Sequence, residues 1–77
     1  MNGWKNYQTF NVALWINNDE SLYRAAVRYC QIALDPSYRE LIRILDYEDS
    51  RTPDDVDWIS DALDYDALDE MVRELVE

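Results

Sequence analysis

Phe10-Asn11-Val12-Ala13-Leu14-Trp15-Ile16-Asn17-Asn18-Asp19-Glu20 is the stretch that decides the fold. From Phe10 to Ile16 only Asn11 is polar. A helix of that composition is apolar around most of its circumference and belongs in the middle of a core. It is predicted to run from Phe10 to Asn17, with Thr9 as its N-cap. Asn17, Asn18 and Asp19 then stop it and offer capping side chains to the next helix.

The second helix is expected from Glu20 to Leu34. Leu22, Ala26, Tyr29, Cys30 and Ala33 recur there at three- and four-residue steps, with Arg24 and Arg28 on another face. Asp35 followed by Pro36 is a cap-then-first-turn signal for a third helix, with Tyr38, Leu41, Ile42 and Leu45 as its apolar stripe. Asp46 to Asp57 reads as a loop, within which Thr52-Pro53-Asp54-Asp55 is expected to form a capped helical turn leading to Trp58. The last helix is expected from Tyr65 to Val76, with Leu68, Met71, Val72 and Leu75 turned inward. Gly occurs once, at Gly3, and Pro only at Pro36 and Pro53, so breakers are few and connections short. The expected class is all-α: a compact bundle of about four short helices, with an acidic loop before the last helical segment. Residues 1–77 form a single helical domain.

A chain of 77 residues is near the lower size at which a core holds without staples. Three Trp, six Tyr and one Phe supply the buried area that makes a small core self-sufficient. The single Cys excludes an intramolecular disulfide. No apolar run reaches the length of a membrane span, and the N-terminus lacks a basic region followed by an apolar stretch. A cytoplasmic location is expected.

The formal charge is −10. Residues 1–45 carry five cations against four acids, and residues 46–77 carry two cations against thirteen acids. The whole imbalance therefore lies in the second part. Such a surface repels nucleic-acid and membrane phosphates and attracts basic protein surfaces, so neither nucleic acid nor membrane is an expected direct partner.

The chemistry of catalysis is thin. There is no His, which removes the commonest general base and a common metal ligand. Cys30 falls on the apolar face of the second helix and is expected to be a buried structural thiol. A phosphate-binding loop needs more glycine than the chain has. The acids around Asp46 to Asp57 do not match a calcium loop. Counting from Asp46, the sixth place, where a glycine is needed, holds Arg51; counting from Asp49, it holds Asp54. No enzyme activity, metal or cofactor is expected.

Trp4-Lys5-Asn6-Tyr7-Gln8-Thr9-Phe10-Asn11-Val12-Ala13-Leu14-Trp15-Ile16-Asn17-Asn18-Asp19-Glu20 resembles the core N-Y-x-T-[FW]-N-V-A-L-W-I-x-N-D-E of a family of small uncharacterised proteins encoded by phages and bacterial mobile elements. A second block of that family, T-P-D-x-V-x-W followed by A-L-D-E-M, is matched by Thr52-Pro53-Asp54-Asp55-Val56-Asp57-Trp58 and by Ala67-Leu68-Asp69-Glu70-Met71. Asp55 departs from the glycine expected at its place. The resemblance covers about half of the chain and implies a small accessory protein, often of phage origin; it implies no activity.

Among the prominent side chains, Asn11 is expected to satisfy a buried backbone group. Trp15 is expected in the core, with Trp4 and Trp58 covering its edges. Arg24, Arg28, Arg39 and Arg43 are expected to pair with acids of the second part. Capping alone does not explain so many acids, and their mutual repulsion costs stability, which points to a use. Asp46, Glu48, Asp49, Asp54, Asp55, Asp57, Asp61, Asp64 and Asp66 are the expected partner-binding residues. They would fit the basic groove of a nucleic-acid-handling protein by imitating duplex phosphates. The expected function is thus a monomeric acidic inhibitor or adaptor of the DNA-mimic type, acting on a host enzyme or defence complex. The alternative is an assembly module that docks through an aromatic patch or as a homodimer.

Overall fold

Asn6, not Thr9, starts the first helix of the computed structural model, which describes residues 3–76. Asn6 is extended, and its Oδ1 accepts from both the backbone N–H and the hydroxyl of Thr9, at 2.9 and 2.7 Å. Helix α1 therefore runs Tyr7–Asn18, three residues longer at its start than the apolar run suggests. Thr9 sits inside the first turn, where its hydroxyl oxygen accepts from Asp64 N–H at 3.0 Å.

Asp19 alone separates α1 from α2 (Glu20–Ile32). Its N–H closes α1 on the Trp15 carbonyl, and its Oδ1 accepts from Leu22 N–H at 3.0 Å. One residue thus ends one helix and caps the next. Asp19→Ala should cost about 1 kcal/mol, the usual worth of an N-cap, read as a lower urea midpoint at unchanged slope. An unchanged midpoint would mean that packing alone sets this junction.

Helix α2 ends two residues short of Leu34. The cap of α3 (Tyr38–Ile44) is Ser37, not Asp35: Ser37 Oγ accepts from Glu40 N–H at 3.2 Å. Asp69, in the last helix, accepts from Tyr38 N–H at 2.8 Å. A tertiary acceptor and Ser37 together satisfy the start of α3, so the helix begins later than the Asp-Pro signal indicates.

The segment 46–64 holds no strand, yet it is not slack. Arg51 and Asp57 form an isolated antiparallel bridge. Inside it, Thr52 N–H donates to the Val56 carbonyl and Asp55 N–H to that of Thr52, both at 2.8 Å. Thr52 Oγ1 accepts from Asp54 and Val56 N–H at 3.2 and 3.3 Å. The expected helical turn at Thr52 is therefore a tight closed loop, with Asp55 in the left-handed region at φ 68°. Asp64 caps α4 (Tyr65–Arg73) through Ala67 N–H, and a 3₁₀ turn, Glu74–Val76, completes the element expected to reach Val76 as one helix.

The described residues form an all-α bundle of four helices measuring 29 × 24 × 22 Å. Helix α1 packs on α2 and α4, and α3 packs on α4. Val12 and Ile16 of α1, Ala26 of α2, Leu41 and Ile42 of α3, and Leu68 and Val72 of α4 are wholly buried. The loop supplies Val56, Trp58 and Leu63 to the same core. Trp58 is the tryptophan at the centre: it is 3% exposed and stacks on Tyr47 with ring centroids 5.6 Å apart, while its carbonyl accepts from Tyr38 Oη at 2.6 Å. Trp15 and Trp4 are half-buried and pack at the rim. The expected order of the tryptophans is inverted, because α1 turns Val12 and Ile16 inward and so brings Trp15 to the edge.

Candidate functional site

The nine acids divide by what holds them. Asp54 Oδ2 accepts from Asn11 Nδ2 at 2.8 Å and from the Trp15 indole N–H at 2.9 Å. These two donors, Asn11 first, hold its carboxyl below the usual aspartate value. Asn11 also accepts, through Oδ1, from the buried Thr52 hydroxyl at 2.7 Å. Asn11 therefore ties α1 to the loop through side chains rather than satisfying a backbone group. Asp55 and Asp57 grip Arg51 at 3.0 and 2.9 Å, and Asp64 caps α4. Four of the nine acids thus have local structural work.

Asp46, Glu48, Asp49, Asp61 and Asp66 do not. All five are exposed, and among the described residues none has a cation within 4.0 Å. Asp46 adopts φ 63°, where its N–H closes the end of α3 on the Arg43 carbonyl. Glu48 lies beside Arg39, Arg43 and Ile59 in a shallow cleft. Asp61 precedes Ala62, whose carbonyl accepts from Asn6 Nδ2 at 2.7 Å and fixes this turn against α1.

The expected pairing of the four arginines with second-part acids does not occur. Arg24 pairs with Glu20 on its own helix, and Arg43 with Glu40 at 3.4 Å. The Arg39 guanidinium lies 4.1 Å above the Tyr65 ring. Arg28 has no carboxylate within 4.0 Å among the described residues. Helical i,i+3 and i,i+4 neighbours are already in place when the chain folds, so local pairs form before distant ones.

The engaged acids still face solvent. Asp54, Asp55 and Asp57 line a cleft of about 510 Å³ together with Tyr7, Gln8 and Ala62 at the start of α1. Asp55 and Asp57 hold one guanidinium here, so the geometry suits basic side chains. Tyr7 stands among the polar groups that flank the first helix in the sequence, whereas Gln8 comes into view only once α1 is seen to start at Tyr7. A second feature went unnoticed for a different reason. Ile32, Leu34 and Ile44 are exposed and fit none of the inward stripes, and that mismatch of register was their available signal.

Cys30 is buried, and its Sγ–H donates to the Val72 carbonyl at 3.1 Å. Burial raises its pKa and so suppresses the reactive thiolate. A thiol reagent should label the native protein slowly and the urea-unfolded protein fast; equal rates would show that α2 opens readily. Among the described residues, no three His, Cys, Asp or Glu side chains converge to hold a metal ion, and no helix is long and apolar enough to cross a membrane.

Fold and surface together define a small all-α bundle whose second part keeps a largely unneutralised acidic exterior. The chain belongs to the family of unknown function DUF7249, whose model matches residues 1–77. No curated protein and no solved structure matches it.

Proposed function

We propose that this protein is a non-catalytic acidic inhibitor or adaptor that occupies the basic, nucleic-acid-binding surface of another protein, plausibly as a phage-encoded factor in a host cell. The observation that carries the reading is the set Asp46, Glu48, Asp49, Asp61 and Asp66, exposed and unpaired while the arginines are satisfied locally or lie elsewhere. Unpaired surface carboxylates at this density repel one another, so their retention is explained by a partner that supplies the missing cations. The acidic cleft at Tyr7 adds three exposed carboxylates, of which Asp55 and Asp57 already show the geometry that grips a guanidinium, that of Arg51. Asp54, Asp55 and Asp57 serve both the loop and the contact, so exchanging them confounds binding with folding. The decisive variant instead replaces the five unpaired acids by Asn and Gln.

The test is capture from host lysate followed by elution with salt or with duplex DNA. A DNA mimic should release its partner to both, because charge steers and holds the encounter and salt screens it. The five-acid variant should lose capture while keeping its helical spectrum, and Arg24→Gln with Arg28→Gln should not. A partner retained at high salt, indifferent to DNA and still bound by the five-acid variant would overturn the reading.

A further inference from the structure

The unneutralised acids leave one other prominent surface unexplained, on the neutral part of the chain. Between α2 and α3 runs an apolar groove of about 430 Å³, lined by Tyr29, Ile32 and Ala33 on one bank and by Leu41, Ile44 and Leu45 on the other. Ile32 is 76% and Ile44 58% exposed, and Leu34, in the connection between the two helices, is fully exposed. Single exposed aliphatics are ordinary, but side chains gathered along one groove mark a contact surface. We infer that this groove docks a second copy of the same chain, giving a weak two-fold dimer.

Two observations favour a second copy, and a third bounds its strength. Every residue lining the groove lies between Ala25 and Leu45, where formal charges nearly cancel. The lining itself holds one cation, Arg28, and one acid, Glu40, so two copies can meet here without acid lining facing acid lining. The polar members of the lining are also self-complementary. Arg28, without a carboxylate partner among the described residues, stands on the α2 bank, and Glu40, which accepts from Tyr29 Oη and pairs with Arg43 at 3.4 Å but stays part-exposed, stands on the α3 bank. A two-fold axis along the groove lays α2 of one copy over α3 of the other and brings each Arg28 to the opposite Glu40, as an isologous contact requires. Finally, a whole face of a molecule measuring 29 × 24 × 22 Å is about the ~800 Å² per partner of a standard interface. The apolar strip covers part of one face, so the dimer is weak and forms at high concentration.

This inference is independent of the acidic-surface reading, and salt acts on the two in opposite directions. Screening weakens capture of a basic partner but relieves repulsion between two like-charged copies. Sedimentation equilibrium on the full chain should show a mass rising from 9.2 kDa toward twice that value with concentration, and more readily at high salt. Ile32→Lys should weaken association by about tenfold or more. That variant lowers the net negative charge and so eases the overall repulsion between copies, Ile32→Ser gives the same test without any charge, and the exposed position leaves the fold intact. Arg28→Glu should weaken association too, and the five-acid variant should dimerise at least as well as the parent. A mass fixed at 9.2 kDa at every concentration and salt, or an Ile32→Lys variant that dimerises like the parent, would overturn the inference. So would a monomer that holds a foreign protein through an Ile32-dependent, salt-resistant contact, which would assign the groove to that protein.

Discussion

Trp58→Ala is expected to remove a large share of the stability of this protein, about 3–5 kcal/mol by the usual cost of emptying a buried tryptophan site. A chain of 77 residues has roughly 4–11 kcal/mol in all, at the typical stability per residue. Trp58 is wedged between Tyr47 and the buried faces of the helices, and Tyr38 Oη donates to its carbonyl. Indole packing and the carbonyl bond together fix the returning arm of the closed loop, and only the packing is lost in the variant. Its loss should loosen the 46–64 segment first and the α3–α4 contact with it. Trp15→Ala should cost less than Trp58→Ala, because Trp15 is only half-buried, even though the variant also gives up the indole hydrogen bond to Asp54. Urea unfolding of both variants decides the matter. A larger loss at Trp15 would mean that the core is organised around the apolar run of α1, as the sequence suggests, and not around the loop.

That inversion shows where sequence reading stops. Helix α2 was expected to start at Glu20 and does, and α4 starts at Tyr65 as expected. In both cases the cap, Asp19 or Asp64, lies next to the helix it caps, so the cause is local. The start of α1 was placed late because Asn6 lies outside the apolar run that drew attention. The charge partition was legible from residue counts alone. What each acid does was not legible, because Asp54 finds its donors at Trp15 and Asn11, 39 and 43 residues away. A stretch read as a polar loop carries Val56 and Trp58 into the core. No periodicity announces such residues, since closed loops place side chains by hydrogen bonds that skip along the chain. The same limit applies to the groove: Ile32 and Ile44 are visible in the sequence, but their meeting across α2 and α3 is a property of the packing.

Replacing Asn11 by Leu is the other change with a large expected effect, about 3 kcal/mol. The size follows from two losses: the hydrogen bond to the exposed Asp54 carboxylate, and a buried Thr52 hydroxyl left without its acceptor, which by itself costs about 1–3 kcal/mol. Adding Thr52→Val should recover part of the cost, because removing both partners of a buried pair is cheaper than removing one. That recovery should be partial, since Thr52 Oγ1 also accepts from Asp54 and Val56 N–H. A double-mutant cycle separates the pair from its surroundings. The pH dependence supplies an independent check. Asn11 and Trp15 lower the Asp54 carboxyl in the folded state below its ordinary value of 3.8. The stabilisation from Asp54 is therefore complete above that value and disappears as pH falls through the lowered folded value. In Asn11→Leu the largest cause of the lowering is gone, so the stability of the variant should fall less steeply in this acid range. The gap between parent and variant should narrow on acidification, once Asp54 is protonated in both. A gap that stays constant down to strong acid would mean that Asn11 acts through Thr52 alone, and that Asp54 belongs with the acids free to face a partner.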